Sequence, residues 1–167
     1  MNRIKWRIRR EIKTAADLKS ASLIEFELNG IVTEILVTDE DLSDILCSAF
    51  EGGISYWCER ARPKGGHWIG SPENHIPNGG AITLYDIDGE EYELNKFKIL
   101  RGIACLIERD NLGLSQVGFE NEDAYYVDAD NTQCILRAGH CLDTCDIDAC
   151  IADLIVQYGI WGKEMFA

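Results

Sequence analysis

Leu23-Ile24-Glu25-Phe26-Glu27-Leu28-Asn29-Gly30-Ile31-Val32-Thr33-Glu34-Ile35-Leu36-Val37 decides the fold class of this 167-residue chain. Residues 23–28 and 31–37 are rich in β-branched and large apolar side chains, and Asn29-Gly30 between them suits a two-residue type I′ turn. Further along, residues 81–86 and 90–94 flank Asp88-Gly89 and predict a second hairpin. Helical patterns separate and follow the two. Thr38 or Asp39 can cap a first helix whose apolar positions are Leu42, Ile45, Leu46, Ala49 and Phe50. Gly52-Gly53 is expected to end it in the left-handed conformation that glycine adopts readily. Asn95 can cap a second helix to Arg109, with Phe97, Leu100, Ile103, Ala104 and Ile107 inward. Hairpins separated by helices argue against a doubly wound parallel sheet. The expected fold is α+β: an antiparallel sheet of roughly five or six strands with about three helices packed on one face.

The remaining segments fit a single domain over 1–167. Residues 3–9 alternate between Ile4, Trp6 and Ile8 on one side and Arg3, Lys5, Arg7 and Arg9 on the other, a half-buried strand with a cationic outer face. Such a face equally serves as charge protection of a sheet edge. A short helical turn is expected over 14–20 and a strand over 54–62. Residues 63–80 hold all three prolines, five glycines and two histidines, and read as a long loop. Residues 110–128 read as polar and irregular. Helical segments are expected over 129–138 and 147–158, with an extended tail over 160–166.

Charge is unevenly spread. The net value is −13, yet residues 1–19 carry +5, so the remainder carries −18. Between Glu108 and Asp153 there are eleven acids against Arg109 and Arg137. Such a field disfavours direct nucleic-acid binding and attracts basic protein surfaces, although an acidic surface also serves solubility alone. Glu120, Glu122, Asp123, Asp128 and Asp130 are the candidate partner-binding residues. No apolar run is long enough for a membrane span, and no apolar core follows the basic N-terminus as a secretory signal would need. With seven cysteines, an odd number, the chain reads as a cytoplasmic protein with reduced or metal-bound thiols.

Two stretches carry a resemblance. Glu51-Gly52-Gly53-Ile54-Ser55-Tyr56-Trp57 follows the first helix, and residues 146–158 lead into Ile160-Trp161-Gly162-Lys163-Glu164-Met165-Phe166. The arrangement resembles a group of small uncharacterised proteins of bacteriophages and prophages. These share an E-G-G-x-x-Y-W segment and a D-A-x-x-A-D-x-I-x-Q helix with a short G-E-hydrophobic tail. The resemblance spans roughly 36–167. Residues 1–35 look like an addition and 128–150 like a Cys/His-rich insertion. It implies a phage origin and the cytoplasm of a host bacterium. By analogy with other small acidic phage proteins, it implies an anti-CRISPR-like inhibitor of host defence.

Three constellations carry possible chemistry. Cys134, His140, Cys141 and Cys145, with Cys150 close by, offer the thiolates and imidazole that a structural zinc takes. Cys141 and Cys145, four apart, would share one side of a helical turn. Reduced packed thiols and a disulfide are the alternatives. Asp128, Asp130 and Asn131 open like a calcium loop, but Gln133 and Gly139 stand where glycine and glutamate are needed. Glu51, Tyr56 and Trp57 are read either as core anchors beside a glycine bend or as a small-ligand pocket with an aromatic floor. His67 and His75, in the long loop with Trp68, Glu73 and Asn74, are read as surface residues rather than catalytic ones. Without a catalytic motif, the chain reads as a stoichiometric binder of a host defence protein such as a Cas effector, not an enzyme. The rival reading is a sponge for a small molecule or nucleotide signal.

Overall fold

The computed structural model describes residues 5–14, 20–28, 30–109, 119–128, 134–142 and 144–167, several of the strand residues by backbone alone. Residues 15–19 of the turn expected at 14–20 and residues 129–133 of the helix expected at 129–138 lie outside them, and Thr14 and Ser20 belong to strands.

The fold is α+β, but its strands do not form one sheet. β1 (Lys5–Thr14), β2 (Ser20–Leu28) and β3 (Ile31–Thr38) make an antiparallel sheet. Leu28 opposite Ile31 leaves the expected two-residue loop, with Gly30 at φ 77°. A second antiparallel sheet comprises β4 (Cys58–Pro63), β5 (Ile82–Asp86) and β6 (Glu91–Leu94). Residues 119–128, expected to be irregular, form β7 (Phe119–Asp128), and 134–138, expected to be helical, belong to β8 (Cys134–Leu142). These two strands pair with each other. β8 also runs parallel to β3, and β7 runs antiparallel to the end of β1, so the first sheet closes on itself as β1-β2-β3-β8-β7. Non-local pairing satisfies the backbone of a segment whose own pattern is weak.

Three longer helices complete the core. α1 (Asp39–Ser48) begins with a capping box: Asp41 N–H donates to Thr38 Oγ1 (3.1 Å), and Thr38 N–H donates to the Asp41 carboxylate (2.9 Å). It does not stop at the glycines by a left-handed turn. The chain passes through a wider π turn, Ala49–Gly53. Gly53 is needed because a Cβ there would lie 2.6 Å from the Ala149 carbonyl oxygen. The strand expected from residue 54 starts only at Cys58, since Trp57 and Cys58 N–H groups turn back onto the Ile54 carbonyl.

A single helical turn, α2 (Pro72–His75), lies inside the long loop. α3 (Lys96–Arg109) is capped by Asn95, whose Oδ1 accepts from Lys98 N–H (2.9 Å). Its buried face holds Ile99, Leu100, Ile103, Ala104, Leu106 and Ile107. Ile99 and Leu106 rotate that face away from Phe97, which is 57% exposed rather than inward. α4 (Ala149–Trp161) begins at Asp148 and ends at Gly162, which takes the left-handed conformation (φ 70°).

The core draws on all of these. Ile24, Phe26, Ile35 and Val37 of the first sheet join Leu42, Ile45 and Leu46 of α1, Ile82 and Leu84 of β5, and the buried faces of α3 and α4. β1 is tied in as well: the Trp6 indole N–H donates to Glu108 Oε2 (3.0 Å), across to α3. No helix among the described residues is long and apolar enough to cross a membrane.

Candidate functional site

The two stretches that carried the resemblance meet in space. The turn Ile54–Trp57 brings Tyr56 and Trp57 against α4, and Trp57 is fully buried. Its indole N–H donates to Asp153 Oδ1 (2.8 Å), and the Tyr56 hydroxyl donates to Asp153 Oδ2 (2.7 Å). One helical turn later Gln157 adds a third donor, its Nε2 lying 2.9 Å from Asp153 Oδ1. Three donors converge on a carboxylate only 6% exposed, which answers the desolvation cost of burying it. Burial first, and then the Asp153 hydrogen bond, push the Tyr56 hydroxyl up to about 12.

The tail closes this site. Gln157 Oε1 accepts from the N–H groups of Met165 and Phe166, both at 2.8 Å, and its Nε2 reaches the Phe166 carbonyl at 3.2 Å. The Phe166 ring stacks on Trp57 with centroids 5.3 Å apart and planes within 2°. Trp161 meets both edge-on, at 5.3 Å from Trp57 and 5.7 Å from Phe166. Asp153, Gln157, Trp161 and Phe166 were not among the expected site residues. Their signal was present: Asp153 and Gln157 stand four apart in an otherwise apolar helix.

Of the expected pocket residues, Trp57 is therefore a core anchor. Tyr56 stays 47% exposed with its hydroxyl engaged, and Glu51 is exposed beside Cys47. An aromatic-walled cleft does exist nearby. Phe50, Ile54, Cys58, Ala61, Trp68 and Pro72 enclose about 330 Å³, with Arg60 at its rim. The Arg60 guanidinium sits 4.2 Å over the Tyr85 ring. Burial pushes the Cys58 thiol up, which keeps it protonated and a poor nucleophile.

His75 is buried, not a surface residue. Its Nδ1 accepts from Ile69 N–H (2.9 Å), so its Nε2 carries the proton and donates to the Ala81 carbonyl (3.0 Å). Gly80 packs directly on this ring, leaving no room for a Cβ. His75 thus fixes the long loop, while His67 is exposed.

In the Cys/His segment, Cys134, His140 and Cys141 lie on β8, where His140 pairs with Ile35 and Cys141 with Leu36. Cys145 is exposed in a 3₁₀ turn, Thr144–Asp146, and Cys150 is exposed on the first turn of α4. The helical turn expected to join Cys141 and Cys145 is not formed, because β8 runs through Leu142. Among the described residues no group of three or more His, Cys, Asp or Glu is placed to hold a metal. The side chains of Cys134, His140 and Cys141 lie outside that set. Glu120, Glu122, Asp123 and Asp128 are on β7, and Asp130 is outside the described residues.

A further acidic element is the β5–β6 turn. Asp86, 3% exposed, accepts at Oδ1 from Asp88 N–H (2.9 Å) and Glu90 N–H (3.0 Å), and at Oδ2 from the Tyr92 hydroxyl (3.1 Å). With Gly89 at φ 82°, this fixes a three-residue loop. Ile87 is 57% exposed at the tip, beside exposed Asp88, Glu90 and Glu91.

No protein-family model, no curated protein and no solved structure matches this chain.

Proposed function

We propose that the protein is a phage-encoded, stoichiometric inhibitor of a host nucleic-acid-handling defence protein, a Cas effector being the leading case. It acts in the host cytoplasm, as a binder and not an enzyme. Its acids cover a Lys/Arg-lined surface that guide RNA or target DNA would otherwise use. The observation that supports this reading best is the rigid acidic tip of the β5–β6 turn on a chain of net charge −13. Ile87 supplies an apolar contact, Asp88, Glu90 and Glu91 surround it, and Asp86 fixes the turn before any partner arrives. Glu120, Glu122, Asp123, Asp128 and Asp130 form the second part of the proposed interface. A structural zinc held by Cys134, His140, Cys141 and Cys145 would order the adjoining segment.

The test is complex formation with purified Cas effectors at low and high ionic strength. A stoichiometric complex that weakens with salt is expected, and the triple variant Asp88→Lys, Glu90→Lys, Glu91→Lys should weaken it about tenfold or more. No complex at low salt would sink the reading.

The cleft at Phe50, Cys58 and Trp68 favours a second reading, a sponge for a small aromatic ligand such as a nucleotide signal, with Arg60 available to an anionic group. Mass spectrometry of material released from purified protein distinguishes the two.

A further inference from the structure

We propose that Trp57, Trp161 and Gln157 form a recognition site for a short peptide segment bearing an aromatic side chain, which the chain fills with its own residues 165–166. Three observations carry this.

The first is how the tail is held. Gln157 uses its amide as a peptide unit would, accepting from two backbone N–H groups and donating to one carbonyl. Those contacts read main chain and not sequence. The aromatic ring on Trp57 is the one side-chain requirement they leave. Met165 is 48% exposed, and Lys163, Glu164 and Ala167 are exposed too.

Second, the cradle is organised by residues other than the tail. Asp153 fixes the Trp57 indole (2.8 Å) and the Gln157 amide (2.9 Å) independently of Phe166. Hydrogen counting supports the same division. The amide has two hydrogens, one for Asp153 and one shared between the Tyr56 hydroxyl oxygen (3.1 Å) and the Phe166 carbonyl (3.2 Å), and the Tyr56 hydroxyl hydrogen goes to Asp153 (2.7 Å) rather than to the Phe166 carbonyl (3.0 Å).

The third observation is the tether. The chain turns at Gly162 in the left-handed conformation, and beyond it residues 163–167 belong to no helix or strand. The segment is thus a ligand on a short leash. An open cleft of about 460 Å³ between Gly53, Tyr56, Ala149, Cys150 and Glu164 adjoins it and leaves space for a longer segment.

The occupant we assign is a segment of the same chemistry as residues 163–167: a short peptide with one phenylalanine or comparable ring. It enters when the tail swings out about Gly162. The experiment uses full-length Phe166→Ala protein and the acetylated pentapeptide Lys-Glu-Met-Phe-Ala. Because a short tether supplies a local concentration in the millimolar range, the free peptide should bind the variant with a Kd of about 1 mM or tighter. Binding should shift the Trp57 indole N–H resonance and raise the variant's Tm towards that of the parent, and a peptide with alanine for phenylalanine should do neither. A folded variant indifferent to the peptide overturns the proposal. If Phe166→Ala does not fold, amide exchange in the parent protein decides instead. Met165 and Phe166 N–H groups should exchange at least about tenfold faster than those of the α4 interior. Exchange only by global unfolding would show that the tail is fixed core and would equally overturn it.

Discussion

Gly102 of α3 lies so close to Ile155 of α4 that a Cβ on Gly102 would overlap the Ile155 carbonyl oxygen, and Gly159 stands in the same relation to the Lys98 carbonyl. The helices therefore touch backbone to backbone. Helix propensity alone would favour Gly102→Ala by about 1 kcal/mol. Overpacking against main chain, which cannot rotate away, costs about 3 kcal/mol and wins. The variant should be less stable by roughly 2 kcal/mol in denaturant unfolding, taking the difference of those two terms. A neutral or stabilised variant would show that the helices can separate.

Trp57→Ala should cost about 3–5 kcal/mol, as expected for a fully buried indole. Asp153→Asn should cost about 1–3 kcal/mol, since an amide nitrogen would then face donors. If Asp153→Asn unfolds at the parent denaturant midpoint, the three hydrogen bonds on its carboxylate contribute nothing net.

Legibility in the sequence follows locality. The β2–β3 hairpin, the Thr38 cap, the turn at Gly89, the Asn95 cap and the body of α4 were legible, because each is written in residues within a few positions of one another. β7 and β8 were not. Their pairing runs to β1 and to β3, and the parallel Ile35–His140 register joins residues with no local signature of contact. The division into two sheets was hidden for the same reason. At the site, Tyr56 and Trp57 stand out in the sequence, but their partners Asp153, Gln157 and Phe166 needed the fold to bring them together.

Asp41 should titrate near pH 6. Burial first, with help from Asp44 and Glu40, raises its carboxyl to about 6 from 3.8, against the lowering effect of its Thr38 hydrogen bonds. The folded state then holds a proton that the unfolded state has lost between those values. Stability from this group is fully present below about pH 4 and falls as pH rises towards 6. Asp41→Asn should flatten that part of the stability profile while keeping an acceptor for Thr38 N–H. Carboxyl carbon NMR gives the midpoint directly, and a value near 4 would contradict the burial argument.

His75→Ala should loosen residues 63–80 more than the rest of the molecule. It leaves Ile69 N–H without its acceptor, at up to about 1–3 kcal/mol for a part-buried donor, and removes one of the two hydrogen bonds on the Ala81 carbonyl, which keeps Lys64 N–H. Limited proteolysis should cut this loop faster while far-UV dichroism stays unchanged. Unaltered proteolysis would mean that the loop holds without the histidine.

Elemental analysis should find about one zinc per chain if Cys134, His140, Cys141 and Cys145 ligate it. Chelation, lower pH and Cys145→Ser should each release order over 128–150 and leave the second sheet intact. Cys105→Ser on α3 should not alter metal content. A metal-free preparation with unchanged melting would leave these cysteines as ordinary thiols.

Trp57 and Asp153 are separated by 96 positions, yet the buried indole N–H takes its acceptor from that carboxylate. On the ribosome, the β2–β3 hairpin and α1 can form as soon as they emerge, but the aromatic core has to wait for α4 and then for Phe166. Folding should accordingly complete only once α4 and Phe166 are free to dock, and more slowly than in a helical bundle of equal size, because the closure of so long a loop precedes the contacts that reward it.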